Sequence, residues 1–214
     1  MTELVILGDP RSSYTRTARM ACVEKGVDYR SEPAAPHSEA VLAIHPFGRI
    51  PAMRHGDIEL FEASAICRYI DDAFDGPPLQ PTDAVERARM EQWVSAHNDY
   101  INPVMLRRYV LQYIFPKGPD GQPDRAAIDE ALPEIQKQLG ILDAAYGARK
   151  FLVGDSVTLA DLFLAPTLFY VVVMPEGESL LAGAPNVKRA CAAMAERESF
   201  ATTMPPMGQK EAAE

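Results

Sequence analysis

Residues 50–68 read IPAMRHGDIELFEASAICR, and this stretch decides the fold of the first part of the chain. Two short apolar runs flank the polar turn Gly56–Asp57, which is the pattern of a β-hairpin. Pro51 has no amide hydrogen for a strand ladder, so we expect it at the first position or the edge of a strand. A helical apolar stripe begins just after Glu62. The stretch therefore predicts a hairpin that leads directly into a helix.

The start of that helix offers polar groups to a ligand. Glu62 and Ser64 lie where the first amides of the helix have no partner within it. If the Ile50–Pro51 bond is cis, the backbone of Ile50 faces outward and can pair with an extended ligand. A strand edge and the positive end of a helix then lie side by side. This arrangement predicts a site for a small, peptide-like, anionic ligand.

The residues before this stretch predict the rest of a small sheet. Residues 4–7 are a compact apolar run and indicate a buried strand, and a helix is expected from about residue 15 to residue 25. A weaker strand follows at residues 27–32, and a short helix precedes the hairpin. The resulting order, βαβ-α-ββα, predicts an α/β domain over residues 1–74, with helices on the faces of a mixed sheet.

The composition changes after this domain. Residues 75–82 are dense in turn-forming residues and indicate a linker. No convincing strand pattern follows, so residues 83–204 are expected to form an all-α domain. The polar, proline-containing residues 205–214 predict a mobile tail.

Three local patterns stand out in the helical part. Pro103 is expected to kink or divide a long helix that begins near residue 83. An apolar stripe runs from Ile128 to Tyr146 and contains Pro133, which predicts either a bend or a later start of that helix. Thr158 and Asp161 have the spacing of a capping box, for which we expect a structural role.

Composition excludes several classes of function. The chain has 214 residues, a net charge of -9 and 47% hydrophobic residues, which is ordinary for a globular protein and disfavours nucleic acid or an anionic membrane as partner. We find no signal peptide and no apolar run long enough to cross a membrane. The three cysteines have no C-x-x-C spacing and indicate reduced thiols in a cytoplasmic protein. The four histidines show no metal-ligand spacing.

Ser12 and Ser13 lie between the first strand and the first helix. One interpretation is structural, because a serine at this place commonly caps a helix. The other is functional, because a hydroxyl beside the positive end of a helix can donate to an anion docked near Pro51. The residues by themselves leave both interpretations open.

Four segments together resemble the cytosolic glutathione transferases, a family that joins a thioredoxin-like domain to an all-helical domain. They are, in order, residues 10–16 (PRSSYTR), 45–52 (HPFGRIPA), 60–66 (LFEASAI) and 154–161 (GDSVTLAD). The resemblance covers nearly the whole chain and is to a bacterial, serine-type member with features of the phi, tau and zeta subclasses. It implies that Ser12, with Ser13 as the reserve candidate, hydrogen-bonds the sulfur of glutathione and stabilises its thiolate.

The resemblance also implies the residues that hold glutathione. The cis-proline of the family falls on Pro51, the backbone of Ile50 pairs with the cysteinyl part, and Glu62 meets the γ-glutamyl end. The full set implied for glutathione is His37, Arg49, Ile50, Pro51, Glu62, Ala63 and Ser64. Ala63 is a departure, because the family usually has Ser or Thr there. A hydrogen bond to a charged group that is missing can weaken binding by ~1.5–3 kcal/mol, unless Ser64 compensates.

A pocket for the second substrate is expected between the two domains. Its expected walls are the Ser12–Tyr14 loop and the first long helix of the second domain, and Tyr100 is one candidate there. The candidates for the electrophile pocket are Tyr14, Met105, Arg108, Tyr109 and Tyr113. The alternative for each is a place in the core or on a dimer surface, as is common for aromatic and methionine residues at helical spacing.

The resemblance implies an enzyme of detoxification that joins the glutathione thiolate to a small hydrophobic electrophile. Glutathione is then a cosubstrate, no cofactor or metal is expected, and the family implies a homodimer. Two alternatives stay open: a non-catalytic relative that binds ligands or proteins, which the alanine at position 63 favours, and a glutathione-dependent, zeta-like isomerase.

Overall fold

A computed structural model describes residues 2–206 of the chain. They divide into two units, one containing the residues up to Leu79 together with those from Arg197 onward, and one containing Gln80–Glu196. The sequence had placed residues 197–204 in the helical domain. They group with the first unit because they pack on its first helix. The predicted mobile tail lies outside the described residues from residue 207 onward.

The first unit has the predicted order βαβ-α-ββα, with a further short helix near the end of the chain. Its sheet has four strands in the order β2-β1-β3-β4, in which β2 runs parallel to β1 and the hairpin strands run antiparallel. The α/β thioredoxin-like prediction is confirmed. The elements are β1 Leu4–Leu7, α1 Ser13–Lys25, β2 Tyr29–Glu32, α2 Glu39–Leu42, β3 Ala52–His55, β4 Ile58–Phe61 and α3 Ala63–Ala73.

The register of the sheet brings the ends of three strands together. Leu7, the last residue of β1, pairs with Ala52, the first of β3, and Ala52 pairs with Phe61, the last of β4. The loops beyond these residues therefore meet at one end of the sheet. Gly8 shows how closely they meet, because a Cβ there would lie 2.4 Å from Thr15 Oγ1 and 3.3 Å from Ile50 Cβ.

Helices α1 and α3 pack against each other and bury their apolar faces. Helix α1 ends at Gly26, which takes the left-handed conformation (φ 69°) that a side chain disfavours. At this end, Lys25 Nζ lies 3.0 Å from Asp71 Oδ1, and both side chains are almost fully buried. Asp71 Oδ1 also accepts a hydrogen bond from the amide of buried Leu79 at 2.8 Å, which ties the chain after α3 to the first unit.

The second unit is all-helical, and residues 80–196, all of which are described, contain no strand. The interruption expected at Pro103 takes the form of π-helical turns at His97–Ile101 and Pro103–Val110. Helix α6 begins at Arg125 and continues through Pro133, so the later start is wrong. The helices are α4 Ala84–Ala96, α5 Leu111–Ile114, α6 Arg125–Tyr146, α7 Leu159–Val173, α8 Gly177–Ala182 and α9 Pro185–Ala195, followed in the first unit by α10 Glu198–Thr202.

Within residues 2–206, no helix is both long and apolar enough to cross a membrane. The same part of the chain holds no group of three or more histidine, cysteine or acidic side chains arranged to bind a metal ion.

Candidate active site

Ser12 is the N-cap residue of α1. Its Oγ accepts a hydrogen bond from the amide of Thr15 at 3.3 Å, which is long, and its side chain is half-buried. Ser13 is the first residue of the helix and is buried. The capping interpretation therefore holds for Ser12, and its half-exposed, loosely engaged hydroxyl also leaves it able to donate to a ligand.

The loop before Ser12 is fixed by its own charges. Asp9 accepts hydrogen bonds from the amide and the guanidinium of Arg11, the closest from Nη2 at 2.7 Å. Burial raises the pKa of Asp9, but the hydrogen bonds and charge of Arg11 outweigh it and hold this pKa below its usual value. The Ser12 amide donates to the backbone oxygen of Asp9 at 2.9 Å. The position of Ser12 is thus set by neighbours on both sides.

The Ile50–Pro51 bond is cis, and Pro51 is buried directly before β3. Upstream, the amide of His37 donates to the backbone oxygen of Gly48 at 2.8 Å. Gly48 has φ 64°, and a Cβ there would lie 2.2 Å from His37 Nδ1, so only glycine fits this contact. His37 and Arg49 are both exposed on this loop.

Glu62 precedes α3 in an unusual backbone conformation. Its φ is 68°, a region in which residues other than glycine are rare and which recurs at functional sites. Its side chain is 62% exposed and makes no capping hydrogen bond to α3. Ala63, the first residue of α3, is buried, and Ser64 is half-buried. The carboxylate of Glu62 is therefore presented outward, next to the free amides of the helix.

His45 is a neighbour of Glu62 to which the sequence analysis assigned no role. Its ring is buried, and Nε2 lies 3.8 Å from Glu62 Oε1. Nδ1 accepts from the amide of Phe47 at 3.3 Å, so the hydrogen of the neutral ring is on Nε2 and points toward the carboxylate. Burial lowers the pKa of His45. Nothing local in the sequence signals this pair, which forms only when the sheet register brings both residues together.

The two helices at this end of the sheet carry no acidic residue in their first turns. Their positive ends are therefore not neutralised by the helices themselves. The strand residues Leu7, Ala52 and Phe61 pair in register. The loop to Ser12 follows the first, the cis bond precedes the second, and Glu62 follows the third. This end of the sheet is suited to an anion that also carries a positively charged group for Glu62.

The residues predicted for a second substrate belong to both units. Tyr14 is half-buried on α1 in the first unit, and the other four belong to the second unit. Met105 and Tyr109 are fully buried, as the core alternative expected. Arg108 is exposed and pairs with Glu130 at 3.0 Å. Tyr100, named as a further candidate, is 66% exposed.

Glu176, which the sequence did not single out, accepts hydrogen bonds from two of these tyrosines. Tyr109 donates at 2.9 Å and Tyr113 at 2.7 Å, and Arg125 also donates to the carboxylate. Burial and the hydrogen bond to Glu176 raise the pKa of Tyr113 to about 12. Both hydroxyls are thus engaged within the second unit.

Comparison with known proteins gives consistent matches. Residues 7–78 match the glutathione S-transferase N-terminal domain and residues 106–198 match the glutathione S-transferase C-terminal domain. The chain is 31% identical over 211 residues to glutathione S-transferase 3 of Zea mays, covering 95% of this chain and 94% of the relative.

Two solved structures are similar over nearly the whole chain. Poplar glutathione transferase F1 superimposes with a TM-score of 0.84 at 29% identity, covering 95% of this chain and 97% of that one. A glutathione S-transferase of Methylobacillus flagellatus with GSH bound superimposes with a TM-score of 0.80 at 26% identity, covering 95% of this chain and 100% of that one.

Proposed function

This chain belongs to the glutathione S-transferase family, and we propose that it is a glutathione transferase that conjugates the glutathione thiolate to a small hydrophobic electrophile. The observation that carries the proposal is the meeting of three features at one end of the sheet: Ser12 at the start of α1, the cis bond before Pro51, and the start of α3 after Glu62. The relatives named above are transferases, and one of the similar structures has GSH bound.

We propose Ser12 as the residue that stabilises the thiolate. A free thiol has a pKa near 8.5, so only a small fraction is ionised at neutral pH. A hydroxyl donor and the positive end of α1 together can lower that pKa by about two units, worth roughly 2.7 kcal/mol. In this scheme the thiol proton goes to solvent and Ser12 donates to the sulfur. The thiolate then attacks an electrophilic carbon, and a carbon–sulfur bond forms as the bond to the leaving group breaks, which releases chloride in the case of a chlorinated nitrobenzene. Ser12 is neither the nucleophile nor a general base.

The remaining contacts follow from the chemistry of glutathione. In this proposal its cysteinyl backbone pairs with Ile50, its γ-glutamyl amino group binds Glu62, and its γ-glutamyl carboxylate accepts from the first amides of α3. The exposed side chains of His37 and Arg49 are positive or polar groups suited to the glycyl carboxylate. With Ala63 in place of a hydroxyl, Ser64 is the nearest side-chain donor at the start of α3.

The finer points are also proposals. Tyr14 is the best supported candidate for contact with the electrophile, because it lies two residues after Ser12 and its side chain is half-buried. The electrophile roles of Met105, Arg108, Tyr109 and Tyr113, the serine-type subclass, a bacterial origin, a homodimer and a cytoplasmic location stay predictions. Proteins of this family bind glutathione and are typically dimeric, which supports the homodimer.

Calorimetric titration with glutathione at neutral pH tests binding, and a conjugation assay with a chlorinated nitrobenzene tests the reaction. We expect micromolar to low millimolar binding and thioether formation. Ser12→Ala should reduce kcat about 10- to 100-fold, the effect of one hydrogen bond to a charged group, and should raise the thiol pKa of bound glutathione.

Ser13→Ala is the matched control, since it removes the same atom one residue further on. If Ser13→Ala loses activity and Ser12→Ala keeps it, the assignment is wrong by one residue. Binding without conjugation of any electrophile tested would favour the non-catalytic alternative.

A further inference from the structure

Residues 197–204, here called the C-terminal strap, run along one face of α1. Near the start of the helix, the Arg16 guanidinium donates to the backbone oxygen of Phe200 at 2.9 Å and to Thr203 Oγ1 at 3.4 Å. The same guanidinium lies over the ring of Phe200, 4.1 Å from its centroid. The strap thus encloses the side chain of Arg16 by a carbonyl, a hydroxyl and an aromatic face.

Two turns further along α1, the strap makes a second set of contacts. The carboxylate of Glu24 accepts from Arg197, with Nε at 2.6 Å, and from the hydroxyl of Ser199. Burial raises the pKa of Glu24, but the hydrogen bonds from Arg197 and Ser199 outweigh it and hold this pKa below its usual value. Because Glu24 binds the beginning of the strap and Arg16 binds its end, the strap is fixed to α1 at both ends.

Arg16 carries a permanent charge into the interior of the first unit. The residue is 1% exposed and is among the largest fully buried side chains of the described residues. A guanidinium does not give up its proton in proteins, so this charge persists at any pH of interest. Burial of a charge is unfavourable unless hydrogen bonds compensate, and the strap supplies such partners.

The residue that carries the buried charge is anchored one helical turn from Ser12. The Arg16 amide donates to the backbone oxygen of Ser12 at 2.9 Å, and residues four apart are neighbours on a helix surface. Helical side chains lean toward the N-terminus, which is the end of α1 that carries Ser12. The first turn of α1 holds no acidic residue to offset the charge. A guanidinium held at this end of α1 adds a positive field at the helix start.

We propose that Arg16 is an electrostatic positioning residue, whose buried charge, held by the C-terminal strap, favours the thiolate of glutathione bound at Ser12. The inference rests on the proposed function, since it requires a thiol at that position. Arg16 touches neither the sulfur nor the electrophile. It acts through space and through the first turn of the helix, and the proton lost by the thiol goes to solvent.

The test is the thiol pKa of bound glutathione, followed by the ultraviolet absorption of the thiolate against pH. Arg16→Met keeps the length of the side chain and removes the charge. We expect this pKa to rise by about one unit, the effect of a unit charge about 10 Å away at an effective dielectric constant near 20. The pH profile of kcat should shift equally, with KM for glutathione nearly unchanged. Arg16→Lys, which restores a charge, should recover most of the shift.

Arg19→Met is the matched control on the same helix. Arg19 donates to the hydroxyl of Tyr29 on β2, and it lies about a turn further from Ser12. Its loss should leave the thiol pKa unchanged even if it lowers the melting temperature. Phe200→Leu serves as a second variant should Arg16→Met not fold. Because it keeps Arg16 but loosens the strap, it should raise the thiol pKa by less than the full unit.

The outcomes separate this inference from the proposed function. If the wild-type protein binds no glutathione, or binds it with an unshifted thiol pKa, the proposed function fails and this inference fails with it. If the wild type lowers the thiol pKa and Arg16→Met does so equally, only the role of Arg16 is refuted. A fall in kcat that follows the melting temperature, with no change in the pH profile, would likewise mean that Arg16 is merely structural.

Discussion

Three long helices of the second unit begin differently from helices α1 and α3 of the first unit. In the second unit, α4 starts at Asp83, whose carboxylate accepts from two amides, and α6 starts at Asp124, which accepts from the amide of Ala127 at 3.1 Å. Helix α7 starts at Thr158, with Asp161 in its first turn. Each of these helices carries a carboxylate for its own positive end.

Helices α1 and α3 of the first unit lack this arrangement. The cap of α1 is an uncharged serine with a long hydrogen bond, and α3 has no side-chain cap at all. The acid beside α3, Glu62, points its carboxylate outward. The comparison indicates where an anionic ligand is best accommodated. The starts of α1 and α3 are adjacent, and neither helix supplies a carboxylate to its own positive end.

The largest effect on stability is expected at the start of α7, where a buried carboxylate accepts several hydrogen bonds. Buried Asp161 accepts from the Leu152 amide at 2.9 Å, the Thr158 amide at 3.0 Å and the Thr158 hydroxyl at 3.1 Å. Asp161→Ala leaves these groups buried without partners, so we expect the free energy of unfolding to fall by about 2–4 kcal/mol. Urea unfolding measures this.

Asp83→Ala is the comparison for that experiment, because it removes an exposed cap and should lower stability by only ~1 kcal/mol. Similar losses for the two variants would contradict the view that burial makes the α7 start structurally decisive. Glutathione affinity of the folded fraction should be unchanged in both, since neither residue belongs to the proposed site.

The converse experiment adds an acidic residue to the first turn of α3, which has none. Ala65 is half-buried in the first turn of α3, three residues after Glu62. Ala65→Glu places a carboxylate at the helix start, where it should repel the γ-glutamyl carboxylate and weaken glutathione binding about tenfold, the effect of ~1.4 kcal/mol. Calorimetry measures the change.

Ala65→Gln has the same shape without the charge and should bind glutathione as the wild type does. Unfolding free energies of both variants should stay within about 0.5 kcal/mol of the wild type, because acids are tolerated or favourable at this position of a helix. Equal weakening by Gln and Glu would indicate a steric effect and would break the electrostatic account.

The charge at the start of α7 also has a pH signature. Burial raises the pKa of Asp161 to about 6, despite the hydrogen bonds it accepts from Leu152 and Thr158. The folded protein therefore binds this proton more tightly than the unfolded chain, and the resulting stability is present below about pH 4 and lost as pH rises through 6. From pH 7 to pH 5, the stability of the wild type relative to Asp161→Asn should increase by about 1 kcal/mol.

The quantity to measure is the difference in unfolding free energy between the wild type and Asp161→Asn. His97 has the opposite effect on stability to Asp161 over the same pH range, so the wild type alone would not isolate the effect of Asp161. His97 is buried against Thr167, and burial lowers its pKa to about 4. Protonation of the unfolded chain therefore reduces stability as pH falls from 6.5 toward 4. This contribution is shared by wild type and variant and cancels in the difference. A difference that is flat with pH would contradict the assignment.

Features determined by neighbours in sequence were predicted well. The hairpin before α3, the stop of α1 at Gly26 and the Asp161 side of the capping box at α7 depend on a few adjacent residues, and all are found. The cis bond at Pro51 was expected as part of a motif rather than from local chemistry, and it too is present.

Features that depend on distant residues were missed. The hydrogen bond from the Tyr109 hydroxyl to Glu176, which lies 67 residues further along the chain, was not predicted. The strap was assigned to the wrong unit because its partner, Arg16, is more than 180 residues away. A charged side chain is usually exposed, so no pattern in the sequence signals that Arg16 is buried. The contact of His45 with Glu62 likewise requires the register of the sheet.

The smallest expected effect concerns the residue that departs from the family. Ala63 is the first residue of α3 and is 5% exposed, so a hydroxyl there lies at the helix start beside the free amides. If the γ-glutamyl carboxylate docks at this helix, Ala63→Ser adds one donor to it. Because the helix amides and Ser64 already offer donors, we expect glutathione binding to tighten only about 3- to 10-fold, less than the ~1.5–3 kcal/mol of a hydrogen bond to a charged group that lacks other partners. Ala65→Ser adds the same atom two residues on, where the hydroxyl is further from the helix start, and should leave the dissociation constant unchanged. Tightening by the first variant alone would locate the carboxylate at the uncapped start of α3. An equal dissociation constant for both variants and the wild type would mean that the amides of α3 already satisfy the carboxylate. The uncapped helix start would then need no side-chain donor to bind an anion.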